Sequence, residues 1–284
     1  MTKTTTMLAI LAAATAAVWS GAASAKDWSH VKVGIEGAFP PWNTMDADGK
    51  LAGFDVDLIN DLCARAELEC ELISGPWSGM IPSLQAGKYD VIMTIGINDK
   101  RKEVIDFTTP YANGVASFLV PTDFADMPMT GERLNLNDKD KADPVMDEIG
   151  GMLDGMSVGV VQSTSQEQLI NAYFGDAVTV RTYANSGERD LDLRAGRIDA
   201  GFDSGIYETS MLSEPGNDDL KMTGPLLKGA MLATNVALGL RKGEDDLAAI
   251  FNKAIDEAAN DGTIKELSLK WSKLDLTPEQ SLSK

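Results

Sequence analysis

An eight-residue pattern occurs twice in this chain, as LQAGKYDV at residues 84–91 and as LRAGRIDA at residues 193–200. Each copy combines the last turn of an amphipathic helix, a glycine suited to the left-handed conformation after a helix, a basic residue and the start of an apolar strand. The repeat predicts two α/β lobes of one design. Two such lobes side by side form a cleft at the carboxyl ends of their strands, where open α/β sheets bind ligands.

The first 25 residues have the pattern of an export signal. Lys3 supplies a positive charge, residues 7–18 are apolar but too few to span a bilayer, and ASA at residues 23–25 is a small-residue cleavage site. Cleavage before Lys26 leaves 259 of the 284 residues, enough for two lobes with ordinary cores. No other segment approaches membrane-spanning length. We therefore expect an exported, soluble mature chain.

Charge and histidine content exclude several function classes. The net charge is −18, and it becomes −19 when Lys3 is removed with the signal. Such a charge disfavours nucleic acids and anionic membranes as partners, and an acidic solvated surface is the simplest interpretation of it. The single histidine, His30, excludes a histidine-based catalytic triad and a multi-histidine metal site. We expect neither a metal nor a cofactor.

The two cysteines, Cys63 and Cys70, lie seven residues apart in a predicted helix-to-strand connection. Export into an oxidising compartment favours a disulfide between them. The alternative is a pair of buried thiols.

Alternating strand and helix patterns predict a largely parallel sheet in each lobe. The first lobe has predicted strands at residues 31–35, 69–73 and 90–94, predicted helices at 54–66 and 78–86, and a short helix that starts at Asn98. Its last elements come from the end of the chain, with a strand at 236–240 and helices at 247–259 and 264–271. The chain crosses between the lobes near residues 112–116 and 232–235, and two crossings form a hinge.

The second lobe has predicted strands at residues 117–120, 157–161, 178–183 and 198–202, with helices between the last three. Residues 122–155 are polar, rich in aspartate and weakly periodic. They are predicted to form an excursion on the surface of this lobe.

Arg101 is a candidate anion-binding residue. It lies in NDKRKE at residues 98–103, where Asn98 is a good helix N-cap but the helix dipole repels the cations that follow. An anion in the cleft would stabilise Arg101, because a guanidinium offers a carboxylate two parallel charge-assisted hydrogen bonds. The alternative, an ordinary solvated arginine, is favoured by the local sequence alone.

A second candidate anion site is the sequence QSTSQ at residues 162–166, which follows a buried strand and opens a helix. Free backbone N–H groups and the hydroxyls of Thr164 and Ser165, with Gln166, are expected to face the cleft from the opposite lobe. The alternative is that Thr164 or Ser165 only caps the helix, and the two roles can coexist.

Aromatic side chains are candidates for holding the body of a ligand. Phe39, Trp42 and Trp77 stand in proline-bounded loops at strand ends. Each type is commonly a core residue, but several together can sandwich an apolar or guanidinium-bearing group.

Acidic and hydroxyl side chains are candidates for the cationic parts of a ligand. Glu36 follows the first strand and is suited to a cationic tail, with a solvated loop carboxylate as the alternative. Asp203 and Ser204 follow the strand of the second repeat, where they can accept hydrogen bonds from an ammonium group.

Several motifs, which together extend over almost the whole mature chain, resemble those of the periplasmic amino-acid-binding proteins of ABC importers. The branch concerned is that for lysine, arginine, ornithine, histidine and opines, in which the spacing of Cys63 and Cys70 also recurs. The motifs are GFDVDL at 53–58, IPSL at 81–84, DKR at 99–101, DFT at 106–108 with Tyr111, VGV at 158–160 and LGLRK at 238–242. DGTIK at 261–265 through Leu269-Lys270-Trp271, with PWN at 41–43, is most similar to the opine-binding members.

The resemblance implies a type II periplasmic-binding-protein fold, α/β, with two mostly parallel sheets flanked by helices and joined by a two-crossing hinge. The two predicted crossings divide the mature chain into lobe 1, residues 26–114 and 234–284, and lobe 2, residues 115–233. The resemblance also implies roles for matched positions. Arg101 would hold the α-carboxylate of the ligand with help from Ser165 and Gln166, Phe39 and Trp77 would flank its side chain, and Glu36 would meet its far polar end.

Three departures from the family pattern concern the ligand. The segment MTIGIN at residues 93–98, with the predicted contacts Thr94 and Gly96, is one residue shorter than the Ser/Thr-rich segment of relatives. Phe39 lacks the phenol often found there. Ser204 stands where many members place an aspartate for the α-ammonium, and Asp203 is expected on the other side of the strand. A weakened ammonium site suits a secondary amine, as in opines, or another carboxylate that lacks a free α-amino group.

The sequence therefore predicts a monomeric periplasmic substrate-binding protein that captures a polar or cationic amino acid, or an opine-like derivative, and delivers it to a membrane permease. One alternative is a dehydratase-like enzyme on the same fold, with Glu36 or Asp203 as general acid. Another is a ligand-presenting partner of a chemoreceptor or sensor kinase.

Overall fold

The computed structural model describes residues 26–278, and the predicted export signal lies outside the described residues. Strands and helices alternate in the first part of the chain, where a 3₁₀ turn at Trp77–Gly79 precedes the second helix. The elements are β1 (His30–Ile35), β2 (Ala38–Phe39), β3 (Asn43–Met45), β4 (Leu51–Ala52), α1 (Phe54–Arg65), β5 (Glu69–Ser74), α2 (Met80–Gln85), β6 (Val91–Gly96), α3 (Asp99–Lys102), β7 (Asp106–Phe107) and β8 (Ala112–Asn113).

The middle of the chain forms the second lobe and the end returns to the first. The second lobe contains β9 (Ala116–Pro121), β10 (Arg133–Asn135), α4 (Lys139–Leu153), β11 (Ser157–Val161), α5 (Ser165–Phe174), β12 (Thr179–Tyr183), α6 (Ser186–Arg194), β13 (Ala200–Ser204), α7 (Gly205–Leu212) and β14 (Leu220–Lys228). The returning elements are β15 (Asn235–Leu240), α8 (Asp245–Asn260) and α9 (Thr263–Ser272).

Each lobe has a mixed sheet in which three adjacent strands are parallel. The order is β5-β1-β6-β15-β7 in lobe 1, with β8 also on β15, and β10-β14-β9-β13-β11-β12 in lobe 2. Strand β15 is antiparallel to β6, and β9 is antiparallel to β13. Each of these two antiparallel strands directly follows one of the two segments in which the chain crosses between the lobes. The two-lobed α/β architecture predicted from the repeat is confirmed.

Each sheet is covered by helices that bury one apolar face. In lobe 1, α1 buries Phe54, Leu58 and Leu62 in a core that also contains residues of α8 and α9. In lobe 2, Phe118 and Phe202 meet at 4.6 Å between ring centroids. The chain passes between the sheets at residues 114–115 and 229–234. No helix among residues 26–278 is long and apolar enough to cross a membrane.

The structure differs from the prediction in the second lobe. Residues 122–155 contain β10 and the 15-residue helix α4, which buries Ala142, Met146, Ile149 and Leu153 in the core of lobe 2. These apolar residues have helical spacing, but many aspartates and Pro144 obscure it. Strand β14 was not predicted, because its interior Gly-Pro pair at residues 224–225 is typical of a turn.

The predicted disulfide is confirmed, since Cys63 at the end of α1 is bonded to Cys70 in β5. The bond closes a short loop of separation seven between a core helix and the edge strand of the lobe 1 sheet.

Replacement of both cysteines, Cys63→Ala with Cys70→Ala, is expected to lower the free energy of unfolding by about 2.5 kcal/mol, because a loop of this length restricts the unfolded chain only modestly. Urea unfolding of the mature chain measures the change. The native protein under reducing conditions is the matched control and should lose a similar amount. A loss above about 5 kcal/mol in the variant alone would show that the alanines disturb the core.

Candidate functional site

The cleft between the lobes is open to solvent. It contains about 780 Å³ of atom-free space, a volume that includes part of the open mouth. Its walls come from the ends of β1, β6 and β13, the starts of α5 and α6, and the two crossings. All twelve residues proposed from the sequence line it, namely Glu36, Phe39, Trp42, Trp77, Thr94, Gly96, Arg101, Thr164, Ser165, Gln166, Asp203 and Ser204. Trp42 is 2% exposed and also belongs to the core of lobe 1. The structure thus brings together, in one cavity, residues that are up to 168 positions apart.

Arg101 is buried, with 7% of its surface exposed, so the solvated alternative is wrong. Asn98 caps α3 by accepting a hydrogen bond from the Arg101 amide at 2.9 Å. The guanidinium donates to the carbonyl oxygens of Gly96 at 2.8 Å and Ser163 at 3.4 Å, and lies 5.3 Å from the Trp77 ring centroid. Desolvation lowers the pKa of Arg101 to about 10, so it remains cationic at neutral pH. Among residues 26–278, no carboxylate forms an ion pair with it.

The start of α5 faces Arg101 from the other lobe and is held by reciprocal capping bonds. Thr164 accepts a hydrogen bond from the Glu167 amide at 3.1 Å, while the Glu167 carboxylate accepts one from the Ser163 amide at 2.6 Å. The capping role of Thr164 is therefore confirmed. Because the first amides of a helix have no intrahelical acceptor, those of Ser165 and Gln166 are suited to an anion at the same place.

Glu36 presents a half-buried carboxylate to the cavity. Burial, and to a lesser degree the negative charge of Asp203, raise its pKa to about 7. No hydrogen-bond donor within the described ranges contacts it. The Glu36 carboxylate is therefore free to bind a cationic or hydrogen-bond-donating group.

Asp203 was expected on the side of its strand that faces away from the cleft, and the structure corrects this. It lines the cavity together with Ser204 and is 4% exposed. Its Oδ2 accepts hydrogen bonds from Ser186 at 2.6 Å and from Arg189 at 2.8 Å, and its Oδ1 accepts one from the Ser204 amide at 2.7 Å. Burial nevertheless raises the pKa of Asp203. Asp203 is thus largely satisfied within its own lobe.

A buried network around Asp55 supports the lobe 1 side of the cavity, and the sequence reasoning missed it. The carboxylate accepts hydrogen bonds from Asn43 at 3.0 Å, from Tyr111 at 2.9 Å and from the hydroxyl of Thr94. Asn43 in turn accepts a bond from the Gly37 amide at 2.7 Å, which holds the loop that carries Glu36 and Phe39. Burial raises the pKa of Asp55 to about 6. The signal was present, since Asp55 belongs to the motif at residues 53–58, but an acid in a first helical turn usually needs no further explanation.

Gly96 lies where β6 meets the second crossing. A Cβ atom at this position would lie 1.9 Å from the carbonyl oxygen of Ala233. Only glycine permits this approach, which brings the crossing segment against the carbonyl that receives Arg101.

Comparisons with known proteins agree with this architecture. The family model of bacterial extracellular solute-binding proteins, family 3, matches residues 31–274. The octopine-binding periplasmic protein of Rhizobium meliloti is 40% identical over 283 residues, covering 92% of this chain and 96% of the relative. The L-arginine-binding protein of Pseudomonas aeruginosa is 34% identical, covering 95% and 97%. An ancestral arginine-binding protein bound to arginine has a TM-score of 0.72 and 27% identity, covering 86% of this chain and 98% of that one.

The raised pKa of Glu36 makes a prediction for the protein without ligand. Since the folded state holds this proton more tightly than the unfolded chain, the Glu36 contribution to stability is present at pH 4 and is lost as the pH rises towards 7. The Glu36→Gln variant should therefore exceed the native protein in free energy of unfolding by about 1–3 kcal/mol at pH 8. Chemical unfolding at pH 4, 6 and 8 measures the difference, which should vanish at pH 4. Glu71→Gln, at an exposed position in β5, is the control. If the free energy of unfolding of both variants depends on pH in the same way, the prediction is contradicted.

Proposed function

Since the chain belongs to the bacterial extracellular solute-binding proteins of family 3, we propose that it binds a cationic amino acid or an opine-like derivative in the periplasm. The ligand bridges the two lobes, residues 26–114 with 234–284 on one side and 115–233 on the other. The closed, monomeric protein then delivers it to the membrane permease of an ABC importer. The matched relatives are named as binding proteins, which supports transport rather than catalysis.

The observation that carries this proposal is the buried guanidinium of Arg101, which has no anionic partner in the described part of the chain. A buried charge without a counter-ion is costly, so an anion is expected to complete the site. The planar donors of Arg101 suit a carboxylate, and the free amides at the start of α5 supply further donors from the opposite lobe. A carboxylate at this point contacts both lobes and stabilises the closed form.

The carboxylate of Glu36 suits a cation. No donor among residues 26–278 contacts it, and the rings of Phe39 and Trp77, which line the same cavity, can lie against a flat guanidinium or an alkyl chain. A ligand that carries one carboxylate and one distant cation satisfies Arg101 and Glu36 together. Arginine, lysine and their N-substituted derivatives have this chemistry.

The surroundings of Asp203 support inclusion of opine-like ligands. Three hydrogen bonds from the protein already occupy its oxygens, and the adjacent Ser204 carries no charge. A primary α-ammonium therefore gains less here than from a free carboxylate. A secondary ammonium presents two N–H donors instead of three and so needs fewer acceptors here, and the similarity to an octopine-binding protein is consistent with it.

A thermal-shift panel on the mature chain tests the function. It contains basic, acidic and neutral amino acids, octopine, nopaline and non-amino carboxylates. At a concentration 100-fold above its dissociation constant, a ligand stabilises the native state by about 2.7 kcal/mol. We expect shifts with basic amino acids or opines, and recovery of the ligand unchanged after prolonged incubation. Selective shifts with neutral amino acids alone, or conversion of the bound compound, would contradict the proposal.

The Arg101→Ala variant should weaken ligand binding by about 2 to 5 kcal/mol, because the ligand carboxylate loses its buried partner. Calorimetric titration with the best ligand of the panel measures this loss. Lys100→Ala, which removes the exposed neighbouring cation from the same helix, is the matched control and should bind almost normally. Unchanged affinity in the Arg101 variant would remove this residue from the site.

A further inference from the structure

Tyr207 makes a ring contact between the lobes just outside the ligand cavity. It lies on α7 of lobe 2 and is 4% exposed. Its ring stacks on Phe39 of lobe 1, with centroids 5.4 Å apart and planes inclined by 7°. Phe39 lines the cavity, whereas Tyr207 lies behind it. The stack therefore joins a ligand-facing residue of one lobe to the interior of the other.

The ring of Tyr207 is held rigidly by buried charges. Its hydroxyl donates to Asp190 Oδ2 at 2.7 Å, and Asp190 Oδ1 accepts from Arg189 Nε at 2.9 Å and Nη2 at 2.6 Å. The Arg189 side chain is fully buried, and its guanidinium carbon lies 5.7 Å from the Tyr207 ring centroid. Such a network leaves the phenol ring little freedom to reorient.

The same guanidinium also supports the ligand cavity. Arg189 Nη1 donates to Asp203 at 2.8 Å, and Asp203 lines the cavity. One buried arginine thus fixes both a cavity carboxylate and the ring on which Phe39 rests. Displacement of Arg189 would disturb the two together.

We propose that Tyr207 is a positioning residue for lobe closure, whose stack on Phe39 forms when the lobes close and sets how long the ligand stays bound. This inference rests on the proposed function. The ligand reaches the open form before the stack exists, so the association rate depends little on Tyr207. Release requires the lobes to separate, and the stack must break at that step. Tyr207 consequently controls the dissociation rate although it does not touch the ligand.

The first test measures association and dissociation of L-arginine and of octopine by stopped-flow fluorescence. Tyr207→Leu should release either probe about tenfold faster, equivalent to about 1.4 kcal/mol, with less than a twofold change in association. Tyr207→Phe keeps the ring and should remain within about threefold of the native rate. In a Phe39→Leu background, Tyr207→Leu should add less than twofold, because the stack is already lost. Additive effects of the two leucine substitutions, or an unchanged release rate, would overturn the proposal.

A second measurement is independent of any ligand. Spin labels at Asp48→Cys in lobe 1 and Leu191→Cys in lobe 2, both exposed positions, report the distance between the lobes while the native disulfide stays oxidised. Tyr207→Leu should shift the ligand-free distances towards longer values, whereas Tyr207→Phe should not. If no basic amino acid or opine of the thermal-shift panel binds the native protein, the proposed function fails but these distances still decide the closure role. Identical distributions in all variants, with intact binding, would overturn the closure role alone.

Discussion

The arrangement of the cleft depends on one buried cation that has no anionic partner among residues 26–278. Arg101 is 7% exposed and is held by the capped helix α3 below it and the carbonyl of Gly96 beside it. Two carbonyl contacts and an aromatic ring reduce the desolvation cost of a guanidinium but do not neutralise its charge. The end of β6, the second crossing segment and the start of α5 all meet at Arg101, and this packing holds the guanidinium in place despite the cost of its burial. In the proposed function, a ligand carboxylate supplies the missing negative charge and contacts both lobes at this point.

In each lobe, a buried ionisable group lies one layer behind the cavity-lining residues and orients them. In lobe 1, Asp55 fixes Thr94 directly and the loop of Glu36 through Asn43. In lobe 2, Arg189 fixes Asp203 and the Tyr207–Asp190 pair. Removal of either side chain would leave several buried polar partners without a hydrogen bond. Asp55 and Arg189 therefore determine the geometry of the cavity although they lie behind its surface.

Much of the fold and of the candidate site could be predicted from the sequence. The elements and residues that were missed have physical reasons for being hard to predict. The repeated helix-glycine-strand pattern is local, and it revealed both lobes. Most cavity residues follow predicted strands, where parallel sheets collect their ligand contacts, so the sequence pattern indicates them. For Arg101 the local sequence favoured a solvated side chain, and only the family resemblance indicated a ligand role. Arg189 could not, because an arginine in a polar helix is usually solvated and only the fold places three carboxylates around it. Helix α4 was missed because its four buried residues are dispersed among aspartates.

The charges that face the cleft suit the two proposed ligand classes. On lobe 2, Arg189 forms ion pairs with Asp190 and Asp203, so these groups are largely satisfied by one another. On the cavity surface, Arg101 is cationic and the pKa of Glu36 is raised to about 7. An ionised Glu36 is complementary to the cationic side chain of a basic amino acid, while Arg101 is complementary to its carboxylate. A protonated Glu36 leaves the positive charge of Arg101 uncompensated, which is complementary to the second carboxylate of an opine. We therefore expect one cavity to suit either proposed class, with a difference of one proton.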